Sequence, residues 1–169
     1  MLIRPGESGD LARLVEIYNY YVTETHFTFD MEPFVVGGRT QWFNQFSESG
    51  PYRLLVAELE DVVVGYASST QFKPKAAYST SVETSVYLDH GQTGQGIGLA
   101  LYASLLEVLV DEPSVHRAYG GTALPNPESI ALHERLGFTL VGTYREVGFK
   151  FDQYWDVSWF EKDVSGASA

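Results

Sequence analysis

Three glycines stand within five residues at Gly94-Gln95-Gly96-Ile97-Gly98, between the apolar segment Val86-Tyr87-Leu88 and a helical pattern that runs from Leu99. This turn constrains the chain more than any other feature. Glycine adopts backbone conformations that other residues avoid. Several N–H groups, bare of side chains, then converge at a helix N-terminus. Free donors and the positive end of the helix dipole, roughly half a charge, suit an anion such as a pyrophosphate. A glycine turn with no ligand is the plain alternative. Two ligand readings fit poorly. A dinucleotide fingerprint, counted from Gly96 and Gly98, needs glycine where Leu101 stands, and an acidic residue on the next strand, where Val115–Tyr119 offers none. A triphosphate loop needs Gly-Lys-Ser/Thr, which is absent.

Strands and helices alternate around the turn. Leu2-Ile3-Arg4 reads as a strand, and the apolar spacing from Leu11 to Val22 as a helix. Thr40–Phe46 reads as a second helix, broken by Gly50-Pro51. Tyr52–Leu59, Val62–Phe72 and Ser81–Leu88 read as strands, the first two joined at Glu60-Asp61 as a hairpin. Leu99–Val110 predicts a helix, Val115–Tyr119 a strand, and Asn126-Pro127 the cap and first residue of a helix that Gly137 ends. Thr139–Phe149 and Tyr154–Glu161 read as closing strands. The fold class is α/β (α+β): a mostly antiparallel mixed sheet of about seven strands with helices on both faces. A parallel pair is expected within Ser81–Tyr119. Residues 1–163 read as one domain and 164–169 as a disordered tail.

Composition excludes several functions. Apolar residues at 44% and charged residues at 20% match a soluble globular domain, and no apolar run reaches the roughly 20 residues of a membrane span. With no secretory pattern at the start, the expected location is cytoplasmic. A net charge of −11 argues against nucleic acid as a partner. The histidines lack ligand spacing and cysteine is absent, so no metal site is expected.

An ordered set of segments then points to a family. It comprises Ile17-Tyr18-Asn19, Ala77-Tyr78, Val82–Tyr87, Gly94–Gly98, Asn126, Ser129-Ile130, Leu132-His133, Leu136-Gly137-Phe138, Gly148–Phe151 and Asp156. Over roughly residues 2–162 the chain resembles the GNAT superfamily of N-acetyltransferases, closest to its phosphinothricin and methionine sulfoximine group. The resemblance implies a GNAT-like fold and acetyl-CoA as cosubstrate. Backbone groups of Val86, Tyr87 and Leu88 would hold the pantetheine arm. Gly94, Gln95, Gly96, Ile97, Gly98 and Leu99 would cradle the pyrophosphate, and Asn126 would also touch the coenzyme. Thr93 departs from the pattern, where glutamine or arginine is usual.

Without cysteine no cysteinyl-acetyl intermediate can form, so the expected route is direct attack of the amine on the thioester in a ternary complex. On the strand, Glu83, Ser85 and Tyr87 share one face, and Val82, Thr84, Val86 and Leu88 the other. A carboxylate on a central strand is costly unless it faces a wet cleft, and partial burial raises its pKa toward use as a base. The pattern alone leaves Glu83 as a general base or a solvated strand residue. The resemblance favours the base, direct or through a water. By the same resemblance His133 lies near the coenzyme sulfur, as acid to the thiolate or as an aid to deprotonation. Tyr102 is a weaker candidate.

The resemblance places the acceptor pocket along Phe72, Lys73, Pro74, Lys75, Tyr78, Glu83, Thr84 and Ser85, with Phe29 as a cover. Lys73 and Lys75 suit an anionic group on the acceptor, though lysine lacks the fork of the arginines common in the group. Thr84 replaces a common histidine. The implied partner is a small amino-acid-like amine, phosphinothricin, methionine sulfoximine or methionine sulfone. A non-catalytic coenzyme-A-binding domain, or an enzyme for a polyamine or a protein N-terminus, are the alternatives. Tyr154-Trp155 and Trp159-Phe160 suggest a face for a homodimer.

Overall fold

A computed structural model describes residues 1–166. Seven strands form one sheet: β1 (Leu2–Pro5), β2 (Leu54–Leu59), β3 (Val62–Gln71), β4 (Ser81–Leu88), β5 (Arg117–Ala123), β6 (Thr139–Lys150) and β7 (Gln153–Asp163), in the order β1-β2-β3-β4-β5-β7-β6. Every pairing is antiparallel except β4 with β5. The expected parallel pair is therefore present. Its crossover is α3 (Ile97–Val110).

Two apolar clusters fill the two faces of the sheet. On one, Leu101, Tyr102, Leu105, Leu106 and Leu109 of α3 pack over Ala67, Val82 and Ala118. Helix α4 (Pro127–Arg135) adds Ile130 and Leu132 to that cluster. On the other face, α1 (Leu11–Glu24) sets Leu14 and Ile17 against Val56, Val63 and Tyr66. Each such buried aliphatic side chain contributes about 1.5–3 kcal/mol. Truncating the fully buried Leu105 to alanine would cost about 2–5 kcal/mol.

Several boundaries differ from the sequence reading, each for a local reason. The second helix, α2, spans only Thr40–Phe43, because a tighter turn over Val36–Arg39 precedes it and the chain leaves the helix at Asn44. Helix α3 begins at Ile97, two residues early, because Gly96 takes the left-handed conformation (φ +79°) and serves as the N-cap. Strand β5 runs Arg117–Ala123 rather than Val115–Tyr119. Gly120 and Gly121 read as strand breakers, but each is paired to β7, opposite Phe160 and Trp159. Val164 does not belong to a loose tail: it is 1% exposed and its N–H donates to His116 O. Residues 167–169 of the expected tail lie outside the described residues. The aromatic pairs proposed for a dimer face are mostly engaged internally. Phe160 is in the core, and Trp155 stacks on His26 at 3.9 Å. Tyr154 is 64% exposed, and a row of exposed apolar side chains lies on the edge strand β6: Leu140, Val141, Tyr144, Val147 and Phe149.

One topological detail positions the cavity. β4 and β5 pair only over Ser81–Glu83 against Arg117–Tyr119. β4 then continues to Leu88 and β5 to Ala123 without pairing to each other. The sheet opens into a wedge immediately after Glu83 and Tyr119.

Candidate active site

A cavity of about 480 Å³ occupies the wedge. Its walls are Thr84–Leu88 of β4, Thr93, Gly94, Gly96 and Gly98 of the turn, Leu99 and Tyr102 of α3, Gly121–Ala123 of β5, and Asn126 and His133 of α4. Tyr20, Tyr21, Thr25 and Phe27 close it from the end of α1.

The turn is built as an anion site. Gly94 and Gly96 hold φ of +75° and +79°, which side chains disfavour. A Cβ on either would meet nothing within 4 Å, so these two glycines serve conformation rather than packing. Gly98 serves packing: a Cβ there would stand 3.3 Å from Leu88 Cδ1, so its bareness lets α3 approach the end of β4. Ala100 N–H makes the first helical bond, to Gly96 O. The amides of Ile97, Gly98 and Leu99 precede the first intrahelical donor, Ala100 N–H, and are available to an anion. These donors are neutral, so the acidic net charge does not weaken them. Of the turn residues singled out, Gln95 bonds Gln92 and the Ile97 side chain enters the core; neither lines the cavity. Asn126 caps α4 by accepting Ser129 N–H at 3.1 Å, with Pro127 following as the sequence implies. Tyr21 Oη donates to Leu88 O at 2.7 Å and fixes the outer end of β4.

Glu83 does not line this cavity. It projects from the opposite face of β4, at the residue where the strands part. Its carboxylate makes no hydrogen bond or ion pair with the described residues, and burial holds its pKa above the ordinary glutamate range. Tyr119, its registered neighbour, shares that face. Phe72 stacks on Tyr119 at 4.3 Å, with Tyr78 and Trp159 edge-on to it at 6.1 and 5.9 Å. Lys73 Nζ lies 5.0 Å from the Phe72 ring and 5.4 Å from that of Tyr78. The sequence-derived acceptor residues Phe72, Lys73 and Tyr78 thus collect on the Glu83 side of the sheet. Pro74 and Lys75 are exposed on the same segment. Phe29 presses on β6, where a Cβ at Gly148 would lie 2.2 Å from its ring. Ser85 lines the wedge. Thr84 is 3% exposed, and its hydroxyl reaches Tyr102 Oη at 2.6 Å and Tyr119 O at 3.1 Å.

His133 is 4% exposed, between Phe160 (stacked, 4.9 Å) and Phe138 (edge-on, 5.1 Å). Burial lowers its pKa, and the bond from Nδ1 to Ser129 O at 2.8 Å partly opposes that. A Cβ at Gly120 would lie 2.3 Å from His133 Nε2, so only glycine there admits the ring. Sequence reasoning missed Gly120, and it missed Tyr119 as the platform for Phe72. The Gly120-Gly121 pair was the available signal: glycine inside a strand marks a close approach.

The site can therefore bind a phosphorylated ligand along the wedge, with a buried histidine at its closed end and a half-buried carboxylate on the other face of β4 where the strands part. Comparison with known proteins agrees with that chemistry. The family described as acetyltransferase (GNAT) domain matches residues 3–159. A phosphinothricin N-acetyltransferase of Streptomyces coelicolor is 52% identical, over 96% of this chain and 95% of that protein. An L-methionine sulfoximine/L-methionine sulfone acetyltransferase of Salmonella typhimurium is 32% identical, over 100% and 98%. The crystal structure of a phosphinothricin acetyltransferase from Sinorhizobium meliloti in complex with acetyl-CoA superposes with a TM-score of 0.91. It is 30% identical, over 96% of this chain and 87% of that one.

Proposed function

The chain belongs to the GNAT acetyltransferase family, and on that premise we propose that it moves the acetyl group of acetyl-CoA to the primary amine of a small amino-acid-like acceptor, of the phosphinothricin or methionine sulfoximine kind. The observation that carries this reading is the wedge itself. It runs from the glycine turn to His133, and it opens at the residue where Glu83 projects from the other face of β4.

The first-turn amides of α3 hold the pyrophosphate, with Gly94–Leu99 as its cradle. The opened edge of β4, Val86–Leu88, offers backbone groups to the pantetheine arm, and Asn126 adds a contact. A backbone N–H near Tyr87 or Leu88 polarises the thioester carbonyl, an effect worth about 3 kcal/mol for one such donor. The acceptor binds on the Glu83 side, with its apolar part on Phe72 and Tyr78 and its anionic group toward Lys73 and Lys75. Glu83 takes the first proton from the ammonium, and the burial that raises its pKa makes its carboxylate a stronger base. His133 serves the thiolate end of the reaction. The enzyme acts in the cytoplasm, as a single domain over residues 1–163. No helix among the described residues is long and apolar enough to cross a membrane. A homodimer through β6 covers that strand's exposed apolar side chains.

The test is a thiol-release assay with acetyl-CoA and a panel of amines. The expected result is turnover with phosphinothricin or methionine sulfoximine and none with spermidine. Acetyl-CoA binding without turnover on any amine would identify a coenzyme-binding domain instead. Light scattering of the purified chain reads the dimer separately.

A further inference from the structure

Four groups at the closed end of the wedge form a hydrogen-bonded chain: Tyr119 O, Thr84 Oγ1, Tyr102 Oη and His133 Nε2, spaced 3.1, 2.6 and 3.4 Å apart. Counting their protons fixes its direction. A carbonyl only accepts, so Tyr119 O takes the Thr84 hydroxyl proton. Thr84 has no second proton, so at 2.6 Å Tyr102 must be the donor to it. At the other end, Ser129 O also only accepts, so His133 carries its proton on Nδ1. A neutral His133 then turns the Nε2 lone pair toward the lone pairs of Tyr102 Oη. Two acceptors face each other with no proton between them. The 3.4 Å gap is longer than the usual 2.7–3.2 Å hydrogen bond. Thr84 and Tyr102 are 3% and 1% exposed, so water does not easily supply the missing donor.

We infer that Tyr102, oriented by Thr84, is a positioning residue for the reaction: its oxygen is the ready acceptor for a proton placed on His133 Nε2. This rests on the acetyl-transfer reading above. Glu83 removes the first proton from the ammonium. As the nitrogen–carbon bond forms and the carbon–sulfur bond breaks, the nitrogen sheds a second proton and the sulfur gains one. His133 Nε2 takes that proton and passes it to the sulfur, giving the amide and free coenzyme A thiol. The Nε2–H is a single proton, so its bond to Tyr102 Oη forms after it arrives from the nitrogen and breaks before it leaves to the sulfur; the chain then returns to its starting arrangement.

Around the imidazole, α3 presents Tyr102, β5 the backbone of Gly120, β7 the ring of Phe160, and the segment just after α4 the ring of Phe138. Tyr102 is the only titratable side chain among these contacts. On α4 itself Glu128, Glu134 and Arg135 are solvent-exposed, and Glu128 and Arg135 line the same cavity as His133. The carboxylate of Glu83 is felt at Tyr102.

The experiment compares Tyr102→Phe with the wild type, by an NMR titration of the His133 imidazole and by steady-state kinetics against pH. Phenylalanine keeps the buried ring and leaves Thr84 bonded to Tyr119 O. Losing the oxygen removes the partner of the imidazolium, so the His133 midpoint falls by at least about half a pH unit. In the same variant kcat drops roughly tenfold and KM for acetyl-CoA stays within about twofold. Thr84→Val also lowers the midpoint, because the Tyr102 proton, without its acceptor, turns to Nε2 and favours the neutral ring. Thr84→Ser, which keeps the hydroxyl, titrates as wild type. An unchanged His133 midpoint or an unchanged kcat in Tyr102→Phe overturns the inference. A lowered midpoint with Thr84→Ser equal to Thr84→Val also overturns it. If His133→Gln keeps wild-type kcat, the assignment of His133 itself fails, and that arm does not depend on the Tyr102 result.

Discussion

The wedge and the surface around Glu83 meet at one residue position yet are made of different materials. The wedge presents backbone: first-turn amides, an opened strand edge and two left-handed glycines. The Glu83 side is made of side chains: a carboxylate, a stack of Phe72 on Tyr119, and two exposed lysines. Backbone donors have one geometry and no charge, so they serve the same phosphate-bearing donor in any chain that folds this way. Side chains can change one at a time. That division explains why the acetyl donor is identified with little dependence on individual residues, whereas the acceptor depends on every one of them.

The sharpest way to separate the two regions is Glu83→Gln. It should lower kcat by roughly a hundredfold or more while leaving acetyl-CoA binding alone. The wild-type rate should also show an acid limb above the ordinary glutamate range, because burial raises the Glu83 pKa and only the carboxylate is a base. A pH–rate profile checks both.

Next in size is Gly148→Ala. The new Cβ would overlap the Phe29 ring at 2.2–2.7 Å, so the segment after α1 must shift. We expect a loss of about 1–3 kcal/mol in chemical denaturation and a higher KM for the acceptor. KM for acetyl-CoA should rise less. An equal rise in both would show that the two regions are not separable.

Replacing Lys73 and Lys75 together with alanine should raise KM for an anionic acceptor by roughly three- to tenfold. Added salt should narrow the difference, since exposed charges are screened. No change with phosphinothricin would remove both lysines from recognition.

The smallest effect runs opposite to the largest. A folded-state pKa raised above the unfolded value means that the folded protein binds the proton more tightly. Stability from this group is thus present at low pH and lost as pH rises through the folded value. Glu83→Gln should therefore melt slightly higher than wild type at pH 7, with the difference closing toward about pH 4. A lower melting point at pH 7 would mean that the carboxylate has a stabilising partner.

The same division governed what could be read from the sequence. Gly94–Gly98, Asn126-Pro127 and the Glu60-Asp61 hairpin were legible because each demands a backbone conformation that few residues meet; Glu60 and Asp61 both take positive φ. The seven-strand sheet and its parallel pair followed from strand and helix periodicity. Strand β5 was misplaced because Gly120 and Gly121 lower local propensity, while the pairing with β7 and the fit of His133 are tertiary. The stack of Phe72 on Tyr119 joins residues 47 positions apart and leaves no local pattern. Tyr102 stood only as a weaker candidate, since most helical tyrosines pack. The positioning role proposed for it comes from counting the protons of Thr84, Tyr119 and His133 together.

Calorimetric titration of acetyl-CoA into two variants separates a backbone-built donor site from a side-chain-built reaction centre. Gly96→Val forces a β-branched residue into a φ of +79°, where its Cβ would meet no clash, so the change acts through the turn's conformation. That strain of about 1–2 kcal/mol predicts a Kd raised by roughly tenfold. Glu83→Gln should bind acetyl-CoA within about twofold of wild type while failing to turn over. Wild-type affinity in Gly96→Val, or an affinity loss in Glu83→Gln as large as that in Gly96→Val, would show that the two regions do not divide donor binding from chemistry.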